Sequence, residues 1–143
     1  MKNTICTLVG VVGGAVATAF GGWDAGLVSL LIFMGLDYVT GLIVAGVFHK
    51  SKKTNTGSLE SKTCWKGLCR KCTTLVFVLV AHRLDLVIGS TSYIRDAVII
   101  AFLANELISL VENAGLMGIS MPPVLVRAID ILQKKSEEEK GGE

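Results

Sequence analysis

Three closely spaced cysteines are the first residues in this chain that could do chemistry. Cys64, Cys69 and Cys72 have the C-x4-C-x2-C spacing found in some iron–sulfur proteins. The one remaining cysteine, Cys6, lies far away in an apolar stretch near the start of the chain, so a fourth ligand is lacking. No second cysteine pair or suitably placed histidine follows. We therefore expect neither a metal ion nor any other cofactor.

Carboxylates offer a second kind of chemistry, but their spacing fits no catalytic motif. Asp37-Tyr-Val-Thr40-Gly41 resembles an aspartic-protease triplet only loosely, because two residues separate Asp from Thr. The sequence has no nucleophile–His–Asp arrangement, no phosphate-binding glycine loop and no metalloprotease helix motif. A hydrolase built on His82, Asp85 and Glu106 is the remaining enzymatic alternative. The pattern as a whole predicts a protein that is not an enzyme.

The surroundings of the charged residues indicate lipid as the solvent. Hydrophobic residues make up 51% of the 143, and Asp24 and Asp37 are the only charged residues between Thr4 and Phe48. A water-soluble helix needs a polar outer face, which this stretch cannot supply. We therefore predict an all-α, polytopic transmembrane protein that forms a single membrane domain over residues 1–135.

Four apolar segments have the length and composition of candidate spans. They lie at about residues 4–20, 26–48, 73–88 and 97–111. The second is easily long enough for the ~20 residues that a bilayer core requires. The third and fourth are weaker, because they contain His82, Arg83 and Asp85 in one case and Asn105 and Glu106 in the other. We accordingly predict three to four spans.

The first segment has an alternative interpretation. Lys2 provides a short basic start, and Ala15-Val-Ala17 and Ala17-Thr-Ala19 resemble signal-peptidase sites. Cleavage there would remove the first span without changing the orientation of the others.

Basic residues predict the orientation. The loop between the second and third segments holds seven of them against one acid, Glu60. Because cytoplasmic loops of membrane proteins carry the excess of Lys and Arg, this loop should be cytoplasmic. Gly89–Asp96 should then lie outside, and both termini inside.

Two amphipathic helices should lie at the cytoplasmic surface, at about residues 59–72 and 124–135. In the first, cations flank an apolar stripe, which is typical of a helix lying on an anionic leaflet. Its lipid-interface residues should be Lys62, Trp65, Lys66, Arg70 and Lys71. A solvated basic loop is the alternative. The acidic tail, residues 136–143, should be disordered.

Polar residues inside the spans should form a polar core or line a pore. The candidates are Asp37, Thr40, Arg83, Asp85, Asn105, Glu106, Ser109 and Glu112. Charged side chains at membrane depth are costly, so they need partners or water. For Arg83 we expect Glu106 as the partner, with Asp96 or an acid of a neighbouring subunit as rivals. In the alternative interpretation these residues only hold the helices of one chain together, and no pore forms.

Small residues suit close packing of helices in lipid. Gly10 and Gly14 belong to a row that recurs every fourth residue, Gly13 lies in a parallel row, and Gly41 follows Thr40 on the second segment. Such rows let helix backbones approach closely. They predict packing either against another copy of the chain or within the chain.

Several motifs in order resemble one known family. They are Asp37-x-x-Thr40-Gly41, Lys66-Gly67-x-x-Arg70-Lys71, Ala81-His82-x-x-Asp85, Asn105-Glu106-x-x-Ser109-x-x-Glu112-Asn113 and Gly118-Ile119-x-x-Pro122. Over residues 26–135 this pattern is similar to the bacteriophage holin family, which includes the clostridial toxin-release holins. Members are often drawn with three spans.

That resemblance implies a multi-pass protein of the bacterial cytoplasmic membrane. It would form homo-oligomers among the membrane lipids and open lesions that release an endolysin or a toxin, with no nucleic-acid partner. A small ion channel or transporter subunit is the alternative function. A passive membrane anchor is a third.

Overall fold

The computed structural model describes residues 1–141, which form five α-helices and no strand. The helices are α1 (Lys2–Ala19), α2 (Ala25–Gly46), α3 (Ser61–Ile88), α4 (Tyr93–Leu116) and α5 (Pro123–Lys140). The predicted all-α class is confirmed.

The helices α1 and α2 are long and apolar enough to cross a membrane. Asp24 is the N-cap of α2, and its carboxylate accepts a hydrogen bond of 2.8 Å from the backbone N–H of Leu27. This satisfies one of the free N–H groups at the start of the helix. With 22 residues, α2 is about 33 Å long, which matches a hydrocarbon core of about 30 Å.

One continuous helix replaces two of the predicted elements. The expected surface helix at 59–72 and the expected span at 73–88 together form α3, which has 28 residues. No glycine or proline separates them. The hydroxyls of Thr73 and Thr74 instead donate to the carbonyls of Cys69 and Arg70, four residues back, and so remain within the helix. The helix ends at Gly89, whose φ of +80° is a conformation that glycine adopts without strain.

The helix α4 occupies the centre of the bundle and packs against α2, α3 and α5. It runs parallel to α2, since Arg95 pairs with Asp24 near the start of both helices and Asn113 bonds to Asp37 farther along. It runs antiparallel to α3, to which a short turn joins it. Their shared apolar core consists of Leu27, Leu30, Met34, Val78, Ile99 and Leu103.

The last helix, α5, returns along α4. It begins at Pro123 and buries Ile129 and Ser136, while Lys135 and Glu139 approach the start of α4. The helix continues to Lys140, where the sequence predicted disorder. Residues 133–140 are mostly Gln, Lys and Glu, which favour helix, and oppositely charged residues recur four apart. Residues 142–143 of the predicted disordered tail lie outside the described part of the chain.

Candidate functional site

Three helices bring an ion-paired group together in the bundle. The Nζ atom of Lys71 on α3 donates to Asp37 Oδ2 of α2 at 2.8 Å and to Glu106 Oε2 of α4 at 2.6 Å. The side chains of Lys71, Asp37 and Glu106 are only 14%, 7% and 13% exposed. One ammonium group therefore holds two carboxyl groups in a site that is largely shielded from solvent.

Asn113 completes this group from α4. Its Nδ2 donates to Asp37 Oδ1 at 3.1 Å and to Thr40 Oγ1 at 2.9 Å, while the Thr40 hydroxyl donates to the backbone carbonyl of Asp37. Both carboxylate oxygens of Asp37 thus have partners. We call Asp37, Thr40, Lys71, Glu106 and Asn113 the inner polar cluster. Removing one member of a buried ion pair typically costs about 3–5 kcal/mol, because a buried charge is left without compensation.

A cavity of about 420 Å³ adjoins the inner polar cluster. Its lining includes the largely buried Asp37, Lys71 and Glu106, which form its inner end, and more exposed residues of the loop between α2 and α3, which form its outer part. Ser109 and Glu112, which the sequence assigned to the polar core, also line it. The cavity connects the buried ion pairs to the surface next to the basic loop.

A second cluster of charged residues lies at the opposite end of the bundle. The guanidinium of Arg95 is 1% exposed and donates to Asp24 Oδ2 at 2.5 Å, to Asp96 Oδ1 at 3.0 Å and to the backbone carbonyls of Phe20 and Gly22. It fixes the turn between α1 and α2 onto the start of α4. The hydrogen bond from Arg95 holds the pKa of Asp24 below its ordinary value. We call Asp24, Arg95 and Asp96 the Arg95 cluster.

Asp85 caps α4 from the neighbouring helix. Its buried carboxylate accepts from the backbone N–H groups of Ile94 at 3.0 Å and Arg95 at 2.8 Å, and from the hydroxyl of Ser90. A negative charge at this position satisfies free N–H groups and suits the helix dipole. Asp85 therefore stabilises the turn between α3 and α4.

The structure separates the predicted polar-core residues into groups. Asp37, Thr40 and Glu106 meet in the inner polar cluster, and Asp85 lies at the other end of the bundle. The side chains of Arg83 and Asn105 are exposed and join neither cluster.

The expected contact between Arg83 and Glu106 does not form, because Glu106 pairs with Lys71. The reason is register. Counted from the middle of the turn between α3 and α4, residues 83 and 106 are offset by about eight residues, or ~12 Å. Residue 71 is offset by only about four residues, or ~6 Å, which a lysine side chain can span.

The predicted lipid-interface residues are likewise divided. Lys62, Trp65, Lys66 and Arg70 are exposed on α3, whereas Lys71 points into the bundle. The predicted packing glycines also differ from one another. A Cβ atom on Gly41 would lie 3.8 Å from Asn113 Nδ2, so α2 and α4 approach there.

The glycines of α1 face open space. A Cβ on Gly10, Gly13 or Gly14 would meet nothing within 4 Å, and no residue of α1 is buried. Packing of this row against another copy of the chain remains a prediction.

Sequence reasoning missed three important residues. Lys71 was grouped with the other cations of the loop, although it is the last of them and adjoins the apolar run. Arg95 falls in the segment Gly89–Asp96 that the sequence places outside, and Asp24 falls between the first two apolar segments, so neither residue is predicted to have a partner. The serine at position 92, a residue type favoured at helix N-caps, was the available indication that Arg95 belongs to a helix.

Comparison with known proteins gives several related chains. An uncharacterised protein of Listeria innocua is 41% identical over 136 residues, covering 92% of this chain and 91% of that protein. A probable holin of Bacillus phage phi105 is 25% identical over 109 residues, covering 76% of this chain and 75% of that protein. An uncharacterised 14.9 kDa protein of Clostridium perfringens is 33% identical over 117 residues, covering 81% of this chain and 83% of that protein.

No solved structure matches the chain. Residues 14–134 match the bacteriophage holin family, which consists of membrane proteins and is not enzymatic. This confirms the resemblance drawn from the motifs. With most of its length covered by that match, the chain belongs to the bacteriophage holin family.

Proposed function

We propose that this chain is a phage-type holin that catalyses no reaction. It inserts into the bacterial cytoplasmic membrane with α2, α3 and α4 as spans and α1 as a further one. There it associates with copies of itself and forms lesions that release a cell-wall hydrolase, or a toxin. The observation that carries this proposal is the inner polar cluster, because it lies at mid-depth of a helix long enough to cross the membrane.

The depth follows from helix geometry. Asp37 lies about 18 Å from the start of α2 and about 14 Å from its end, near the middle of a ~30 Å core. Its ion pair with Lys71 supports a position for part of α3 at the same depth. A charged residue there costs roughly 2.5–3.5 kcal/mol on insertion scales, and such residues usually mark function.

The monomer keeps this polar group inside, between α2, α3 and α4. Association offers another arrangement, in which the polar faces of several copies surround water. The exposed helix α1, with its open glycines, supplies an apolar surface on which copies can meet. If α3 separates from α2 and α4, the side chains of Asp37, Lys71 and Glu106 would face the water inside a lesion.

Timed expression tests the lytic role. Full-length protein produced together with a cell-wall hydrolase should give a delay followed by abrupt loss of turbidity. Release of cytoplasmic markers of graded size should include folded proteins. Producing the hydrolase alone is the control, and an inserted protein that releases no marker larger than small solutes would contradict the proposal.

A small ion channel is the second candidate function. It is favoured by the cavity, which reaches from the basic loop to the inner polar cluster and would admit water and ions without a large lesion. The same release assay separates the two functions. A channel would give graded leakage of ions from the start of expression, with proteins retained.

A further inference from the structure

Four cations surround the outer part of the cavity. Lys52 and Lys53 come from the loop after α2, and Lys66 and Arg70 lie four residues apart on α3. None of the four forms an ion pair within residues 1–141, where the pairs are made by Lys71 and Arg95. Their charges are therefore available to a ligand.

The charged residues that line the cavity differ in their exposure. At the inner end, Lys71 is held by Asp37 and Glu106. The four cations, all exposed, share the lining with two exposed carboxylates, Glu60 and Glu112, so the outer part carries two positive charges in excess and the whole lining carries one. This outer part should attract an anion.

The walls of the cavity are apolar between these charges. Leu42, Val44, Ala45, Leu59 and Leu116 contribute to them. The exposed Trp65 lies beside Lys66 on α3, and tryptophan is enriched at the level of lipid headgroups. A ligand with one anionic group and an apolar body matches this combination better than a small inorganic anion does.

We propose that this cavity binds one anionic phospholipid, with the lipid phosphate held by Lys66 and Arg70 and approached by Lys52 and Lys53. The guanidinium of Arg70 can donate two parallel hydrogen bonds to phosphate oxygens, and Lys66 adds a point charge one helical turn away. The glycerol and the upper acyl chains lie against the apolar wall. The site needs no lytic activity and goes beyond the function proposed above.

A defined site differs from general attraction to an anionic leaflet in being saturable and in depending on particular cations. The full-length protein in neutral detergent micelles would be titrated with phosphatidylglycerol, and bound lipid counted by native mass spectrometry. Parallel titrations would use phosphatidylcholine and inorganic phosphate. The test variant is Lys66→Gln/Arg70→Gln.

The matched control is Arg127→Gln/Lys134→Gln, because these substitutions remove one arginine and one lysine charge from exposed positions that do not line the cavity. All four side chains are exposed, so both variants should keep the helical circular dichroism spectrum of the parent. The charge-conserving variant Lys66→Arg/Arg70→Lys tests whether charge at these positions is sufficient for binding.

We expect one phosphatidylglycerol to bind saturably. Its Kd should rise about ten-fold in Lys66→Gln/Arg70→Gln and less than about two-fold in the control, because each cation near an anionic headgroup contributes appreciably. The charge-conserving variant should stay within about three-fold of the parent, since it keeps both charges.

Three results would overturn the proposal. They are equal losses in the two charge-removing variants, phosphatidylcholine binding as tightly as phosphatidylglycerol, and millimolar inorganic phosphate displacing the lipid completely. The last result would identify a site for free phosphate instead.

Discussion

At the residue scale, the inner polar cluster rests on one lysine shared by two carboxyl groups. Lys71 contributes no net excess of positive charge, because Asp37 and Glu106 both contact it. Asn113 and Thr40 add uncharged donors and acceptors. Loss of any charged member should therefore change both packing and the electrostatic balance of the bundle.

Asp37→Asn tests the role of the charge at constant volume. We expect normal insertion, with lysis delayed or abolished, because the pair with Lys71 is lost while the shape is kept. Turbidity curves and cross-linked oligomers would be compared with those of Asp130→Asn, which alters an exposed residue of α5. Parental lysis timing with unchanged oligomers would show that the charge of Asp37 is not needed.

Exchange of Lys71 and Glu106 tests their pairing. Lys71→Glu and Glu106→Lys should each prevent lysis, since like charges then meet at membrane depth. The double exchange keeps one cation and two carboxylates in the cluster, with Asp37 now beside the carboxylate at position 71, and should recover part of the activity. If it performs no better than either single variant at equal membrane levels, the contact between α3 and α4 does not matter for function.

The Arg95 cluster predicts a pH dependence of stability. Because the pKa of Asp24 is lowered in the folded protein, its contribution is present above the ordinary carboxyl pKa and is lost as pH falls through the lowered value. Thermal unfolding in detergent from pH 7 to pH 3 should therefore show a steeper loss for the parent than for Asp24→Asn. Identical pH profiles would contradict a stabilising role for this ion pair.

At the element scale, α3 combines a basic segment and an apolar segment in one helix. With 28 residues it is about 42 Å long, more than the ~30 Å core requires. Its start, with Lys62 and Trp65, can therefore extend to the headgroup level while Lys71 reaches Asp37. The loop that precedes α3 should lie on the cytoplasmic side.

Cysteine labelling tests this orientation. In a background without native cysteines, Ser92→Cys should react with an impermeant maleimide in intact spheroplasts, because the turn before α4 is expected outside. Ser58→Cys should react only after lysis. The reverse pattern would invert the topology.

At the scale of the whole molecule, α5 is the element whose position a bilayer should change. The helix α5 lies along α4. Its charged residues are therefore spread along the length of the bundle, and they include Arg127, Asp130, Lys134 and Lys135. If α4 spans the membrane, these charges would lie beside lipid at a cost of roughly 2.5–3.5 kcal/mol for each one near the centre. We expect α5 to leave α4 on insertion and to lie at the cytoplasmic surface.

Ser136 reports this movement, because it is buried in the compact bundle. In membranes, Ser136→Cys should be labelled in inside-out vesicles and protected in intact spheroplasts. Ser92→Cys serves as the control with the opposite pattern. A cysteine at 136 that stays protected on both sides would show that α5 remains packed on α4.

The helical class and the family follow from the composition and order of the residues alone. Long apolar runs with few charges can satisfy their backbone in lipid only as helices, which is why α1 and α2 lie close to the first two predicted segments. Residue spacing around Asp37, Asn105 and Glu106 was enough to indicate the holin family. These features depend on local composition and order.

Which charged residues meet depends on how the helices pack in three dimensions. Lys71 pairs with Glu106, and Arg83 does not, because the register of α3 against α4 depends on where the turn falls and on how the apolar faces pack. Arg95 is buried because the turn after α1 folds over it, a contact across more than 70 positions of the chain. Such partners are set by three-dimensional packing, and the spacing of residues along one helix does not contain that information.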